Sequence, residues 1–333
     1  MKCMFKENRE DSSLSLNKKQ ITTYIRLAFS IIMVTAFIFI ADLGKIIGYL
    51  KSLGTLSIAL IFLCILLSVI VSGIKWHSLL PLNKLSIIKT IRIFNIGLFF
   101  NNFLPSSIGG DGMRIYLINK EGIRKSTSAS SVILDRLFAS LTLAGLGFFS
   151  SIFATNFNIV AFLMFAVLFL IVGIMITLIL KGWIPGFINK KESVIKDKLL
   201  AFIDAAKEIR NNKAAIIKNL ILGAIFQIFV ALVIGAIFFG LGFVVPGIID
   251  LIYLSTATSV LAMVPLGLNG YGLREGAYIY LLQAYGYTIS QALSISVIFA
   301  VMVSIFSFLG GLDYALAHIS NIFLKEKRIE KEI

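Results

Sequence analysis

Apolar residues fall along this chain in long blocks, separated by short polar and basic stretches. A helix needs about 20 apolar residues to cross the hydrocarbon core of a bilayer. Blocks of that order lie at residues 54 to 74, 128 to 152, 157 to 180, 214 to 240 and 289 to 316. A shorter block at residues 27 to 41, with Arg26 placed to snorkel at its start, predicts a further span. Its polar leader is too long for a typical signal peptide and no small-x-small cleavage site closes it, so it is expected to be retained. Two more apolar stretches, residues 86 to 121 and 248 to 287, are each cut by a Pro/Gly loop, around Pro105 and Pro265. Irregular backbone at membrane depth survives only where protein or a water-filled cavity satisfies its amides. The breaks therefore predict two re-entrant hairpins whose tips line a cavity; kinked helices, or an interfacial helix plus a span, are the alternatives. The expected fold is an all-α polytopic membrane protein with six full spans plus two re-entrant broken-helix hairpins.

Composition agrees: 58% hydrophobic residues, 14% charged residues and a mean hydropathy of +0.93 over 333 residues exclude an ordinary soluble domain. A net charge of +14 would raise nucleic-acid binding in a soluble chain, but here the charges stand between spans and no nucleic-acid partner is expected. Of the 31 Lys and Arg, 28 fall within residues 1 to 26, 75 to 92, 114 to 136, 181 to 218 and 325 to 333. By the positive-inside rule these stretches are cytoplasmic. That reading puts both termini, the polar tail 1 to 20 and the charged tail 321 to 333, on the cytoplasmic side of a plasma membrane, around one membrane domain of residues 21 to 320. The first hairpin then enters and leaves on the cytoplasmic side, and the second does so outside, where the Tyr285-Gly286-Tyr287 exit carries no charge. Residues 181 to 213 interleave eight Lys and Arg with Val194, Leu199, Phe202, Ile203 and Ile209, which predicts a basic helix on the anionic inner leaflet, or else a solvated connector. The outer connections near 42 to 53, 153 to 156 and 241 to 247 read as short loops. Cys3 and Cys64 stand in unlike settings, so no disulfide, metal or cofactor is expected.

The two breaks resemble each other. Pro105 to Arg114 aligns with Pro265 to Arg274 at a constant offset of 160 residues, matching Pro105/Pro265, Gly110/Gly270, Gly112/Gly272 and Arg114/Arg274. Hairpins entering from opposite faces, each followed by a span (residues 86 to 152 and 248 to 316), would be related as an inverted repeat, the plan of many secondary transporters. In each tip Pro ends the incoming half-helix and glycine, Gly109 included, lets the backbone turn and approach closely. A new half-helix is expected to start near Gly112 and near Gly272. Its free amides and dipole, beside Arg114 or Arg274, suit a phosphate or carboxylate; a purely steric turn is the alternative for any one of these glycines and prolines.

Charges at depth are costly and usually pair or line an aqueous path. Asp111, Arg114, Asp135, Arg136, Arg274 and Glu275 are the candidates for substrate contact. Neighbours Asp135 and Arg136 point about 100° apart on a helix and cannot share a partner, so cross-pairing is expected, for example of Arg136 with Asp111. A structural ion pair that merely pins the hairpin is the competing role. Asn95, Asn101, Asn102, Gln227, Thr256, Thr258 and Ser259 are explained by interhelical hydrogen bonds as well as by a substrate path. His77 beside Trp76 reads as an interfacial anchor.

Asn101-Asn102-Phe103-Leu104-Pro105 through Gly109-Gly110-Asp111-Gly112-Met113-Arg114, then Asp135-Arg136, then Tyr271-Gly272-Leu273-Arg274-Glu275-Gly276-Ala277, in this order, resemble the flippase-like, lysylphosphatidylglycerol synthase transmembrane-region family. The resemblance covers nearly the whole chain. It implies a membrane domain linked to lipid translocation: in multiple-peptide-resistance proteins this domain moves aminoacylated phosphatidylglycerol to the outer leaflet, and related domains accompany some archaeal glycosyltransferases. Departures are Asp135, where a Glu-Arg pair is common, and Asn269 and Tyr271 within the second motif. Only a short Lys/Glu-rich tail follows the last span, so no aminoacyl-transferring domain, and hence no lipid synthesis, is expected of these residues.

The expected function is a flippase or transporter for lipids or lipid-linked headgroups, drawing an anionic or zwitterionic headgroup between the two hairpins. Its partners would be membrane lipids and an enzyme that modifies lipids or transfers sugars. An intramembrane transferase acting on a phospholipid or polyprenyl-phosphate, with Asp111 or Glu275 as base or metal ligand, or a non-catalytic scaffold for a partner enzyme, are the alternatives.

Overall fold

A computed structural model describes residues 43–81, 85–103, 109–182, 194–263 and 272–332, and every regular element among them is helical. In chain order these are α1 (Leu43–Ser52), α2 (Thr55–His77), α3 (Ile87–Phe103), α4 (Gly109–Lys120), α5 (Lys125–Phe153), α6 (Ile159–Lys181), α7 (Val194–Asn211), α8 (Lys213–Gly240), α9 (Ile248–Met263), α10 (Leu273–Ala284) and α11 (Ile289–Glu332). Five of them, α2, α5, α6, α8 and the Ile289–Leu316 part of α11, are long and apolar enough to cross a membrane. They coincide with the five longer apolar blocks to within a turn. The expected span at 27 to 41, and Pro105, Pro265 and Gly270, lie outside the described residues.

Polar caps set several of these boundaries. The Asn158 side chain accepts from the amides of Val160 and Ala161 at the start of α6, and that of Asn212 accepts from Ala215 at the start of α8, satisfying amides that a first turn leaves orphaned. Gly182, at φ +74°, closes α6 in the left-handed region where glycine carries no Cβ penalty.

Small and polar residues decide which helices meet, as they must where lipid removes any hydrophobic drive for helix association. α2 and α8 run antiparallel along their whole length: Ser57 lies against Gly240 at one end, while at the other Asn219 donates to the Lys75 carbonyl at 2.8 Å and Ser78 to the Ala215 carbonyl at 3.3 Å. Around this pair is a core of Ile61, Ile65, Val69, Ile234, Phe238, Leu254, Ile295 and Ile298. α6 stands at the edge and buries only the stripe Ala161, Phe165, Val172 and Ile176. Its Leu163, Val167, Leu170 and Ile174 are exposed and suit lipid.

The two interrupted stretches form helical hairpins, with α3 packed against α4 and α9 against α10. The first is antiparallel, because Asn101 lies beside Gly110 and Lys89 pairs with Glu121. Each leading arm also packs on the span that follows the other hairpin, α3 on α11 and α9 on α5. The α3–α11 crossing is close: a Cβ on Gly310 would come within 2.3 Å of the Asn95 carbonyl oxygen, and Asn102 donates to Ser307 at 2.9 Å.

Two sequence expectations need correcting. Residues 43 to 52, taken for a loop, are helix α1, which buries Ile46 against Leu293 of α11. The basic segment does contain a helix, but its apolar side is turned to protein: Ile203, Ala206 and Ile209 are buried, Ala206 and Ile209 with Leu134 and Phe138 of α5 and Val172 and Ile176 of α6. That apolar face is therefore not available to the leaflet.

Candidate functional site

Three helices bring five charges together near the Lys/Arg-rich side, and a fourth adds a polar side chain. Asp135 of α5 is buried and holds two cations: Lys75, at the end of α2, donates to its Oδ1 at 2.6 Å, and Arg114 of α4 lies 3.0 Å from its Oδ2. Asn219 of α8 adds a contact at 3.3 Å. A carboxylate out of water needs such compensation, since an unpaired charge there costs several kcal/mol. The Arg114 guanidinium is wedged between rings, 3.9 Å from the centre of Trp76 and 5.0 Å from that of Phe94, a cation–π setting. Its aliphatic stem lies against Gly97, and no larger residue would fit there, because a Cβ would come within 2.7 Å of the Arg114 Cγ.

Asp111 continues the chain of charges. It lies 3.6 Å from Arg114, one turn away, and forms an ion pair with Arg136 of α5. The cross-pairing expected between hairpin and span is therefore present, and Asp135 and Arg136 turn to different partners as their angular separation requires. The order is Lys75, Asp135, Arg114, Asp111, Arg136, alternating in sign with one net positive charge. Exposure rises along it: Lys75, Asp135 and Arg114 are buried, the Asp111 side chain is 13% exposed and that of Arg136 is 48% exposed. Arg136 stands three residues from the middle of α5. Asp111 Oδ1 and Arg114 Nε are buried without a hydrogen-bond partner. Close by, a cavity of about 500 Å³ opens one turn below Lys75, between Ser78, Thr127, Glu208, Asn212 and Ala215.

The glycines of the first tip have unlike roles. Gly110 is a close-approach residue: its amide donates to Asn101 at 2.9 Å, and a Cβ would fall 2.0 Å from the Gly97 carbonyl oxygen. Gly112 faces open space. The half-helix expected to start near Gly112 already includes Gly109, the first residue described after the tip.

In the second hairpin the helix does start after Gly272, which has φ +90°. Glu275 turns back to accept from the Gly272 amide at 2.6 Å, and it accepts from Arg274 at 2.9 Å and from Ser296 of α11 at 3.2 Å. This carboxylate caps its own helix, a reciprocal device known from helix starts, and holds Arg274. Among the described residues, no extended interface joins the arms of one hairpin to those of the other. The six candidate residues thus form two groups, Asp111, Arg114, Asp135 and Arg136 in one and Arg274 with Glu275 in the other.

The family model described as lysylphosphatidylglycerol synthase TM region matches residues 24–311. The chain belongs to that family. No curated protein and no solved structure matches it significantly. This lysylphosphatidylglycerol synthase TM-region protein is a multi-pass membrane protein, consistent with a lipid-related function. Among its described residues no group of three or more His, Cys, Asp or Glu gathers as a metal site.

Lys75, Trp76 and Asn219 are members of the family protein's charge cluster that sequence reasoning missed. Trp76 and His77, read as an interfacial anchor, are buried instead: Trp76 donates to Ser131 at 3.3 Å and His77 is 3.0 Å from Thr90. A signal was present, since an acidic residue inside an apolar block calls for a cation at equal depth, and Lys75 is the one basic residue within the last turns of α2 apart from His77.

Proposed function

We propose that this protein moves lipids with an anionic or zwitterionic headgroup between the two leaflets, along a path beside and between the two hairpins. The half-exposed Arg136, paired with Asp111 at the open end of the buried charge chain, carries this reading. An arginine left facing hydrocarbon is costly, up to roughly 2.5 to 3.5 kcal/mol at the centre of a span on insertion scales, and a hydrated groove removes that cost. A phosphate entering the groove meets Arg136, and Asp111, released from it, faces a cationic or hydroxyl group of the same headgroup. Arg114, Asp135 and Lys75 hold this pair in place from behind, and Arg274 and Glu275 serve the corresponding position in the other hairpin.

The arrangement supports an inverted repeat larger than hairpin plus span. Unit one is α2 to α5 and unit two is α8 to α11; α2 packs on α8 at the axis, and each leading arm packs on the other unit's last span. On this reading the hairpins are re-entrant from opposite faces, the Lys/Arg-rich side is cytoplasmic, a span at residues 27 to 41 places both termini there, and the membrane is the plasma membrane. A partner enzyme that modifies lipids or transfers sugars would supply the substrate.

The test is a leaflet-exchange assay on purified protein in vesicles containing labelled anionic lipid. A charge-assisted hydrogen bond is worth about 1.5 to 3 kcal/mol. Arg136→Ala is therefore expected to slow exchange about 10- to 100-fold while leaving the protein folded. Equal exchange by Arg136→Ala and wild type would remove the assigned path.

A further inference from the structure

Polar ties outside this site join the two units on both sides of the membrane. On the Lys/Arg-rich side Arg92, in the leading arm of the first hairpin, makes a two-pronged ion pair with Asp313 of α11, one prong Nε to Oδ2 at 2.9 Å. On the opposite side Asp250, in the leading arm of the second hairpin, accepts from the backbone amide and the hydroxyl of Thr155, just past α5, both at 2.8 Å. Under the 160-residue offset Arg92 and Asp313 correspond to positions 252 and 153. The Asp250–Thr155 tie is thus the same crossing displaced by two residues on each element, about 3 Å outward. Each hairpin is also closed at its own base, by Lys89 with Glu121 and by Asp250 with the Tyr285 hydroxyl at 2.6 Å.

We propose that these two ties are the two gates of an alternating cycle, and that the structure holds the conformer in which both are shut. This rests on the lipid-transport reading above. The base ties make each hairpin move as one body. The cross-unit ties, together with the Asn102–Ser307 hydrogen bond farther along the α3–α11 crossing, then become polar contacts that must break before a hairpin swings from the other unit's span. The two differ in chemistry. Arg92 with Asp313 is a largely exposed ion pair, its side chains 58% and 27% exposed. Asp250 is a buried carboxylate with three donors.

Reversible cross-links test this. In a background with Cys3→Ser and Cys64→Ser, one variant carries Arg92→Cys with Asp313→Cys and another Thr155→Cys with Asp250→Cys; Thr155→Cys with Tyr285→Cys replaces the latter if loss of Asp250 prevents folding. Each is bridged by a bifunctional methanethiosulfonate, released again by reductant, and carries Gly112→Cys as reporter, a position with open space around an added Cβ. The reporter is labelled after bridging with a membrane-impermeant maleimide from one side of the vesicle at a time. Locking a gate is expected to abolish labelling from its own side and retain it from the other, with reduction restoring both. Unchanged labelling with either gate fully locked overturns the proposal, as does lipid exchange at the unlocked rate. If labelling switches as expected while the unlocked protein exchanges no lipid, the gates stand and the transport reading falls.

Discussion

At the scale of single residues, burial separates groups that charge alone makes alike. Asp135 has no solvent and three polar neighbours, so removing one of its cations leaves a buried negative charge undercompensated, which costs about 3 to 5 kcal/mol when one member of a buried pair is lost. Lys75→Met is therefore expected to lower the thermal unfolding temperature in detergent sharply, whereas Arg136→Ala, at the exposed end, leaves it nearly unchanged and acts on lipid exchange. An Arg136→Ala protein as unstable as Lys75→Met would place Arg136 in the structural pin instead. The pairing of Arg136 with Asp111 was legible in the sequence because the 100° step between neighbours forbids Asp135 and Arg136 a common partner. Lys75 was missed although Asp135 signalled a need for a cation at equal depth, since a lysine at the end of an apolar block reads first as an interfacial charge. Trp76 was misread for the same reason: an aromatic near a span end suits the interface, and only Arg114 packed on its ring shows that it faces inward.

At the scale of elements, hydropathy located the described spans and both hairpins, because chain length per membrane crossing is fixed by geometry. It could not find α1, whose ten residues mix Lys45 and Lys51 with apolar side chains and which depends on α11 to bury Ile46. The aligned tips were over-read: Gly112 and Gly272 match in sequence, yet one lies inside a helix facing open space and the other at φ +90° outside one. That difference gives a graded prediction. Gly110→Ala puts a Cβ into the Gly97 carbonyl and should separate the hairpin arms, a cost of about 1 to 3 kcal/mol as for overpacked cores. Gly272→Ala destabilises by roughly 1 to 2 kcal/mol through its left-handed backbone. Gly112→Ala should instead stabilise α4 by up to about 1 kcal/mol, the helix preference of Ala over Gly. Chemical unfolding of the three variants in one detergent gives the order; a Gly112→Ala protein as damaged as Gly110→Ala would mean that the space beside Gly112 is filled.

At the scale of the whole molecule, the two cross-unit ties answer to different solution conditions, so each side of the protein can be loosened separately. The Arg92–Asp313 tie is exposed, and an exposed pair is screened as the Debye length shrinks to about 3 Å at 1 M salt. Asp250 is buried, so salt reaches its tie far less. Alkali acts there instead. Burial, then the hydrogen bond to Asp250 and its charge, push the Tyr285 phenol well above its ordinary value. A neutral acid with a raised value stabilises the fold fully below the ordinary phenol range of about 10, and that contribution is lost as pH climbs through the raised value. Once ionised, Tyr285 would face the Asp250 carboxylate as a like charge. Labelling of Gly112→Cys from the Lys/Arg-rich side should therefore quicken in high salt at neutral pH, and labelling from the other side should quicken only above about pH 10. Tyr285→Phe, which cannot ionise, should remove the alkaline response and leave the salt response intact. If salt quickened both sides equally, the ties would not be independent gates, and the two units would be opening as one.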